Sequence, residues 1–292
     1  MTASFFDRLL QVPAVRALAA PALAARRAVQ ARRDAPRRAA VVRLRNVLAE
    51  DPVVRLDAFG GAFALDARSH LFERVAAEGD YEPDLAALCR RHLDPARDAV
   101  DVGGNVGFFT VLMAGALPGR RVLSIEPTPG AYARLVANVA RNGLSDRVVV
   151  FNGVAAEDDA ARTMSVIDGL EEYASLGALV HPAVSGAVGR RVDVAAKTVD
   201  ALVDAHGLTP GFIKVDVEGA ELSVLRGARE TLARHRPVVL AELSRPLLAA
   251  QGATPEAVFA FLDGLGYTLS DPSHPGARLG QRDFGDLLAL PG

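Results

Sequence analysis

The chain has 292 residues, half of them apolar, and a formal net charge of −2. No apolar run reaches the length of about eighteen residues that a membrane span needs, and the near-neutral balance argues against nucleic acid as the principal partner. The single cysteine, Cys89, excludes an intrachain disulfide and a thiolate zinc cluster and fits a cytoplasmic location.

The chain opens with an arginine-rich stretch. Its first 45 residues hold ten arginines against Asp7 and Asp34. The arginine pairs lie behind the apolar run "ALAAPALAA", the reverse of a signal peptide. Residues 1–48 are therefore read as a basic helical arm, solvated or in peripheral contact with an anionic membrane surface. Only Lys197 and Lys214 are lysines. With the abundance of alanine, this arginine bias reads as GC-rich coding and says little about function.

Residues 49–97 form a second unit. Two short strands over 53–66 turn at Gly60-Gly61, a hairpin signal, and a helix runs from Glu82 to His92. From residue 98 to residue 292 the pattern alternates. Strands are predicted at 98–103, 121–126, 147–151, 211–217 and 237–243, with helices at 106–117, 129–142, 218–235 and 254–265. Thr254-Pro255 supplies an N-cap followed by proline at the first helical position. Such alternation predicts a doubly wound α/β domain with a parallel sheet covered on both faces. Residues 152–197 break the rhythm, as an insertion beside the ligand edge of the sheet would.

The segment "VDVGGNVGFF", residues 100–109, places a glycine-dense turn between a strand and a helix. It is neither the G-x-G-x-x-G of dinucleotide sites nor a phosphate-binding loop ending in Gly-Lys-Ser/Thr. It reads D-x-G-x-N-x-G. Asp101 would repel a pyrophosphate and would suit a cationic ligand such as S-adenosylmethionine. Gly103, Gly104 and Gly107 let backbone approach the ligand. Glu126, followed by Pro127, ends the second strand, where a carboxylate can accept hydrogen bonds from both ribose hydroxyls. Residues 152–157, including Asn152 and Ala155, lie by position at the adenine border.

The most distinctive segment is "FIKVDVEGAEL", residues 212–222. Alternation puts Lys214 and Asp216 on one side of a strand, with Asp216 nearer the ligand end. Glu218 and Glu221 fall in the first turn of the next helix, where acids stabilise the helix without any chemistry.

Together, "GDYEPDLAALCRRHL", "AVDVGGNVGFFT", "SIEPTPGAYARLVANVARNGL", "FIKVDVEGAELSVLRGA" and "PVVLAEL" resemble the FkbM-type SAM-dependent methyltransferase family over about residues 79–245. The resemblance implies a class I methyltransferase fold, Rossmann-like, with seven strands and the last antiparallel. It implies O-methylation of a hydroxyl on a small molecule or glycan, either a sugar or a secondary metabolite. It also implies that Asp101, Gly103, Asn105, Gly107 and Glu126 bind the cofactor, with Phe108 and Pro127 beside them. Tyr81 and Glu82 match a Tyr-Glu pair that closes over the cofactor. Asp216, Glu218 and Glu242 line the reacting side. Gly104 and Val106 stand where the family most often has alanine and isoleucine.

An alcohol needs a general base before it attacks a methyl group. Asp216 is the first choice, with Lys214 beside it and Glu218 and His181 behind it. A second route has Asp216 and Glu242 hold Mg²⁺ that lowers the hydroxyl pKa. Two rival readings are a nicotinamide-dependent oxidoreductase with a degenerate fingerprint and a SAM-binding protein without catalysis.

Overall fold

The computed structural model describes residues 51–167, 189–274, 279–280 and 283–292. The basic arm over 1–48 and His181 lie outside the described residues. The described chain opens with the expected hairpin, β1 (Val53–Leu56) against β2 (Gly61–Ala64), antiparallel, with Leu56 opposite Gly61. Two helices follow. Ser69 starts α1 (His70–Glu78) by accepting the Phe72 N–H, and Pro83 opens α2 (Pro83–His92).

The alternating part supplies β3 (Asp98–Val102), α3 (Phe108–Ala116), β4 (Val122–Ile125), α4 (Pro129–Arg141) and β5 (Val148–Phe151). The interruption contains β6 (Val154–Ala155), β7 (Arg162–Val166), β8 (Arg190–Val194) and β9 (Ala196–Lys197). These four form two small paired sheets, β6 with β9 and β7 with β8. The main fold resumes with α5 (Val199–Ala205), β10 (Pro210–Val215), α6 (Glu221–Arg226), α7 (Arg229–His235) and β11 (Val238–Ser244). It ends with α8 (Arg245–Ala250), α9 (Pro255–Asp263), β12 (Tyr267–Ser270) and β13 (Phe284–Pro291).

The seven-stranded sheet has the order β12-β13-β11-β10-β3-β4-β5. All pairs from β11 to β5 are parallel; β13 is antiparallel to both its neighbours. The last strand is thus inserted between β11 and β12. The central strands β3, β4 and β10 are buried along their whole length, as strands covered on both faces must be.

Two predicted elements differ from the structure. The strand expected over 211–217 ends at Val215, and the helix expected over 218–235 is two helices, α6 and α7. The break falls at Gly227, where a Cβ would stand 1.9 Å from the carbonyl oxygen of Ala156. Backbone from the interruption passes so close that only glycine fits there, and Asp200 ends one helix and starts the next by donating to the Gly227 carbonyl and accepting the Glu230 and Thr231 N–H groups.

The sheet separates two apolar layers. One packs Leu56, Phe59 and Phe63 of the hairpin with Phe108, Phe109 and Leu112 of α3 and Leu135 and Val139 of α4. The other packs Val199 and Val203 of α5, Leu225 and Leu232 of α6 and α7, and Val258 and Leu262 of α9. The hairpin therefore shares the core of the main domain. Among the described residues no helix is long and apolar enough to cross a membrane.

Two asparagines one helical turn apart fasten the hairpin to α4. Asn138 accepts the Ala64 N–H at 2.7 Å and donates to the Ala64 and Val106 carbonyls. Asn142 accepts the Ala62 N–H and donates to the Ala62 carbonyl, both at 2.9 Å. Their amides satisfy the strand groups of β2 that face away from β1, as a further strand would. Each buried backbone group left unpaired costs about 1–3 kcal/mol. Asn138→Leu is therefore expected to destabilise the fold by about 2–4 kcal/mol in urea unfolding. A midpoint unchanged in that variant would show that the clip carries no stability.

Candidate active site

A cleft of about 620 Å³ lies across the carboxyl ends of the parallel strands. Connections run from β3 towards β4 and β5 on one side, and from β10 towards β11 on the other, so the strand order reverses between β3 and β10. Ligands of open α/β sheets bind at that reversal. The cleft accordingly has a β3/β4 half and a β10/β11 half, roofed by His70, Arg74 and Glu82 from the α1–α2 segment.

The β3/β4 half is organised by Glu126. Its Oε2 accepts the Asn105 N–H at 2.8 Å, and its Oε1 accepts both the N–H and the hydroxyl of Thr128, at 2.8 and 2.6 Å. Burial pushes its carboxyl above the ordinary range, and the Thr128 and Asn105 hydrogen bonds oppose that shift. A carboxylate has roughly four acceptor sites, so Glu126 retains acceptor capacity towards the cleft that it lines. Gly103, Asn105, Pro127 and Ala155 line the same half. Asn105 adopts a left-handed φ of 47°, which asparagine tolerates better than most residues. Gly103 is required sterically, because its Cβ would fall 1.8 Å from the carbonyl oxygen of Asp216.

The β10/β11 half is acidic. Asp216 stands one residue beyond Val215, and Glu242 one beyond Ala241, the register partner of Val215. Both face the cleft, with Glu218 and Glu82 nearby. Asp216 Oδ2 lies 2.9 Å from the ammonium of Lys214, and the Asp216 side chain is 31% exposed. Burial, reinforced by the charges of Asp216 and Glu82, pushes the Glu242 carboxyl up to about 9. At neutral pH Glu242 therefore carries a proton beside the Asp216–Lys214 ion pair. Arg74 reaches from α1 to Glu82 at 3.0 Å, and its guanidinium lies 4.5 Å from the centre of the Tyr81 ring. Glu218, expected in the first helical turn, sits ahead of α6 with a left-handed φ of 53°.

Several predicted residues lie beneath the cleft instead of in it. Asp101 is fully buried; its Oδ2 accepts the Thr110 hydroxyl at 2.6 Å, while Oδ1 has no partner among the described residues. Lys214 is 3% exposed and sits 4.5 Å above the Phe109 ring. Gly107 starts α3 at a φ of 95°, its missing Cβ leaving space for Leu135. Phe108 is core, its ring packed edge-on against Phe63 and tilted against Phe59 and Tyr81. Asn152 is exposed and donates to the Glu126 carbonyl at 3.0 Å. A Cβ at Gly104 would meet the Ser124 hydroxyl at 2.2 Å, and that hydroxyl lies 2.9 Å from Thr110. Ser124 thus uses the space that an alanine at 104 would need.

Thr128, Arg74, Met164 and Phe284 are site residues that sequence reasoning missed. The Thr128-Pro129 pair was a readable signal, since it repeats the pattern of Thr254-Pro255. Thr254 caps its helix, whereas the Thr128 hydroxyl is spent on Glu126 and makes no cap. The other three reach the cleft only through tertiary packing. A divalent cation would rest on Asp216 and Glu242, and this donor set suits it poorly. One oxygen of Asp216 already accepts from an ammonium, and Glu242 favours its neutral form. No cluster of three or more His, Cys, Asp or Glu able to hold a metal occurs among the described residues.

The strand order, the glycine turn after β3 and the carboxylate ending β4 define a class I methyltransferase fold, Rossmann-like and mostly parallel. The Methyltransferase FkbM domain matches residues 101–269, and the chain belongs to that family. Methyltransferase 1 of Beauveria bassiana (strain ARSEF 2860) is 29% identical over 153 residues, covering 44% of this chain and 57% of the relative. The AMB antimetabolite synthetase AmbE of Pseudomonas aeruginosa is 26% identical over 209 residues, covering 60% of this chain and 10% of AmbE. The chain thus matches little more than half the length of the first relative and a tenth of the second. The crystal structure of methyltransferase FkbM from Methylobacillus flagellatus KT is 20% identical with a TM-score of 0.44, covering 68% of this chain and 44% of that one.

Glu221 generates a stability prediction. Its Oε1 accepts the Gly219 N–H at 3.0 Å, and its Oε2 is buried with no partner among the described residues. Burial raises its carboxyl from 4.5 to about 7. The folded state therefore holds the proton more tightly than the unfolded chain does. This group's contribution is fully favourable below about pH 4.5 and is lost as pH rises through about 7. Glu221→Gln keeps the acceptor for Gly219 without the buried charge. It is expected to be more stable than wild type at pH 8, by on the order of 2–3 kcal/mol, with the gap closing near pH 4.5. Thermal unfolding of both proteins at the two pH values checks this; a gap that persists at low pH would locate the effect elsewhere.

Proposed function

We propose that the chain transfers a methyl group from S-adenosylmethionine to a hydroxyl of a small molecule, a secondary metabolite or a sugar. The observation that carries this reading is the two-sided cleft at the switch point. Glu126 faces one half and the Asp216–Glu242 pair faces the other. Family membership supports the methyl transfer, and the antimetabolite synthetase among the relatives supports a small metabolite as acceptor. S-adenosylmethionine, when bound, supplies a methyl group on a positively charged sulfur.

Glu126 is the residue to hold the ribose, with Asn105 and Gly103 shaping the turn beside it and Ala155 at the adenine border. The carboxylates around the cleft favour a cationic ligand over a pyrophosphate, which weighs against a nicotinamide cofactor. Asp216 takes the acceptor's hydroxyl proton. It is partly exposed at a strand end, with one oxygen occupied by Lys214 and the other available. Glu242, neutral at pH 7, is able to donate a hydrogen bond to the acceptor. Tyr81 and Glu82, tied to α1 through Arg74, close the roof and keep water out.

Two measurements test the assignment. Glu126→Ala should weaken S-adenosylmethionine binding by about 1.5–3 kcal/mol in calorimetry; unchanged affinity would remove Glu126 from the site, and preferential binding of NADH by the wild type would overturn the cofactor. Asp216→Asn should lower release of S-adenosylhomocysteine, measured across a panel of hydroxylated acceptors, by roughly 10²–10⁴-fold, with cofactor affinity nearly unchanged. EDTA should leave the wild-type rate as it is. A loss on chelation that Mg²⁺ restores would establish the metal route instead.

A further inference from the structure

Strands β3 and β10 lie side by side with Lys214 opposite Asp101 and Val215 opposite Val102. The Lys214 ammonium is buried and bonded to the Asp216 carboxylate two residues on, at 2.9 Å, with Asp101 its register partner in the adjoining strand. Burial alone would drive the lysine towards its neutral form, but the charges of Asp216 and Asp101 outweigh it and hold the ammonium above its ordinary range. The aliphatic stem and the Phe109 ring, 4.5 Å from Nζ, restrict where the ammonium sits. Lys214 does not line the cleft, whereas Asp216 does.

We propose that Lys214 is a positioning residue. Its ammonium, hydrogen-bonded to Asp216 and held over Phe109 with the charge of Asp101 acting on it from the adjoining strand, fixes one oxygen of Asp216 and turns the other towards the acceptor half of the cleft. A charge-assisted hydrogen bond from an immobile donor selects one rotamer of a short side chain. The same ammonium lies across from Asp101, the residue that leads into the glycine turn at the other half of the cleft. One buried cation therefore sets the base relative to the cofactor loop, and Lys214 itself neither touches the ligand nor exchanges a proton with it. This inference rests on Asp216 acting on the acceptor.

The composition makes the test direct. With only Lys197 and Lys214 in the chain, ¹⁵N-lysine labelling gives two side-chain ammonium signals. Lys197 is half exposed on Asp159, so its hydrogens exchange with water, while those of Lys214 are sheltered. The Lys214 signal is expected to persist in the wild type at neutral pH and to move in Asp216→Asn, but not in Glu126→Gln. A signal that Asp216→Asn leaves in place would overturn the proposal, because the ammonium would then be held by other groups. That result would leave the methyl-transfer reading standing.

The second measurement is a double-mutant cycle on turnover. Lys214→Met should lose activity in kcat with cofactor affinity kept within about twofold. Adding it to Asp216→Asn should cost no more than about threefold further, since residues acting as a unit are non-additive. Multiplying losses would mark Lys214 as merely structural and defeat the proposal. If Lys214→Met does not fold, the ammonium spectrum of wild type and Asp216→Asn still decides. Wild-type turnover in Asp216→Asn with a displaced ammonium signal would instead defeat the base assignment on which the proposal rests.

Discussion

Negative charge gathered at low dielectric is the constraint around which this molecule is arranged. Asp101, Glu126, Asp216 and Glu242 all stand at or near the carboxyl ends of neighbouring strands, and three of the four are mostly removed from water. Only one buried lysine is set among them. The remaining charge is managed by different means at each position. Glu126 collects three hydrogen bonds from two residues. Glu242 retains its proton, and Asp101 accepts from a threonine hydroxyl and is favoured by the charge of Lys214 on the adjoining strand. An isolated ionised carboxyl in such surroundings would cost far more than a marginally stable domain can tolerate. A ligand of positive charge completes the balance, which is why the fold and the proposed cofactor suit one another.

Close backbone contact sets the geometry that this charge distribution needs. Past its last paired residue, β10 stays bonded to β3 through the Asp216 N–H on the Val102 carbonyl, 2.9 Å away. The loop after β3 folds back over that carbonyl-rich edge so closely that Gly103 has no room for a side chain. Gly219 makes a similar approach, its would-be Cβ 2.5 Å from the Leu247 carbonyl oxygen. The turn from Asp216 to Glu221 is therefore gripped on both sides by main chain. A side chain carried on such a turn has little freedom to wander, which suits the proposed role of Asp216, since precision in methyl transfer is largely a matter of alignment.

Much of this was legible in the sequence where a local rule has only one outcome. Glycines after an apolar strand mark close approach, and strand-end acids mark the ligand edge. The pairing of Lys214 with Asp216 followed from the alternation of a strand. The direction of Asp101 did not. Its position two residues before Gly103 suggested the ligand, yet the side chain turns under the loop to Thr110 on α3, a contact no spacing reveals. The same holds for the broken helix after β10. The apolar pattern runs through residues 218–235, and the division is a tertiary effect: Asp200 accepts the Glu230 and Thr231 N–H groups and donates its own N–H to the Gly227 carbonyl. Arg74 and Phe284 entered the site through packing of segments far apart in the chain, beyond any local signal.

The asparagine clip on the hairpin has a consequence for association. A two-stranded hairpin ordinarily presents unpaired main-chain groups along each outer edge, and such edges recruit strands from other molecules. Along β2 the groups of Ala62 and Ala64 are already taken by amide side chains of a helix in the same chain. A foreign strand would have to displace both asparagines, and α4 itself occupies the space it would enter. The hairpin is thus insulated on that side against edge-to-edge polymerisation. The bonds that close this border come from side chains, so losing both asparagines would strand the Ala62 and Ala64 groups beneath α4 with neither a strand nor water to receive them.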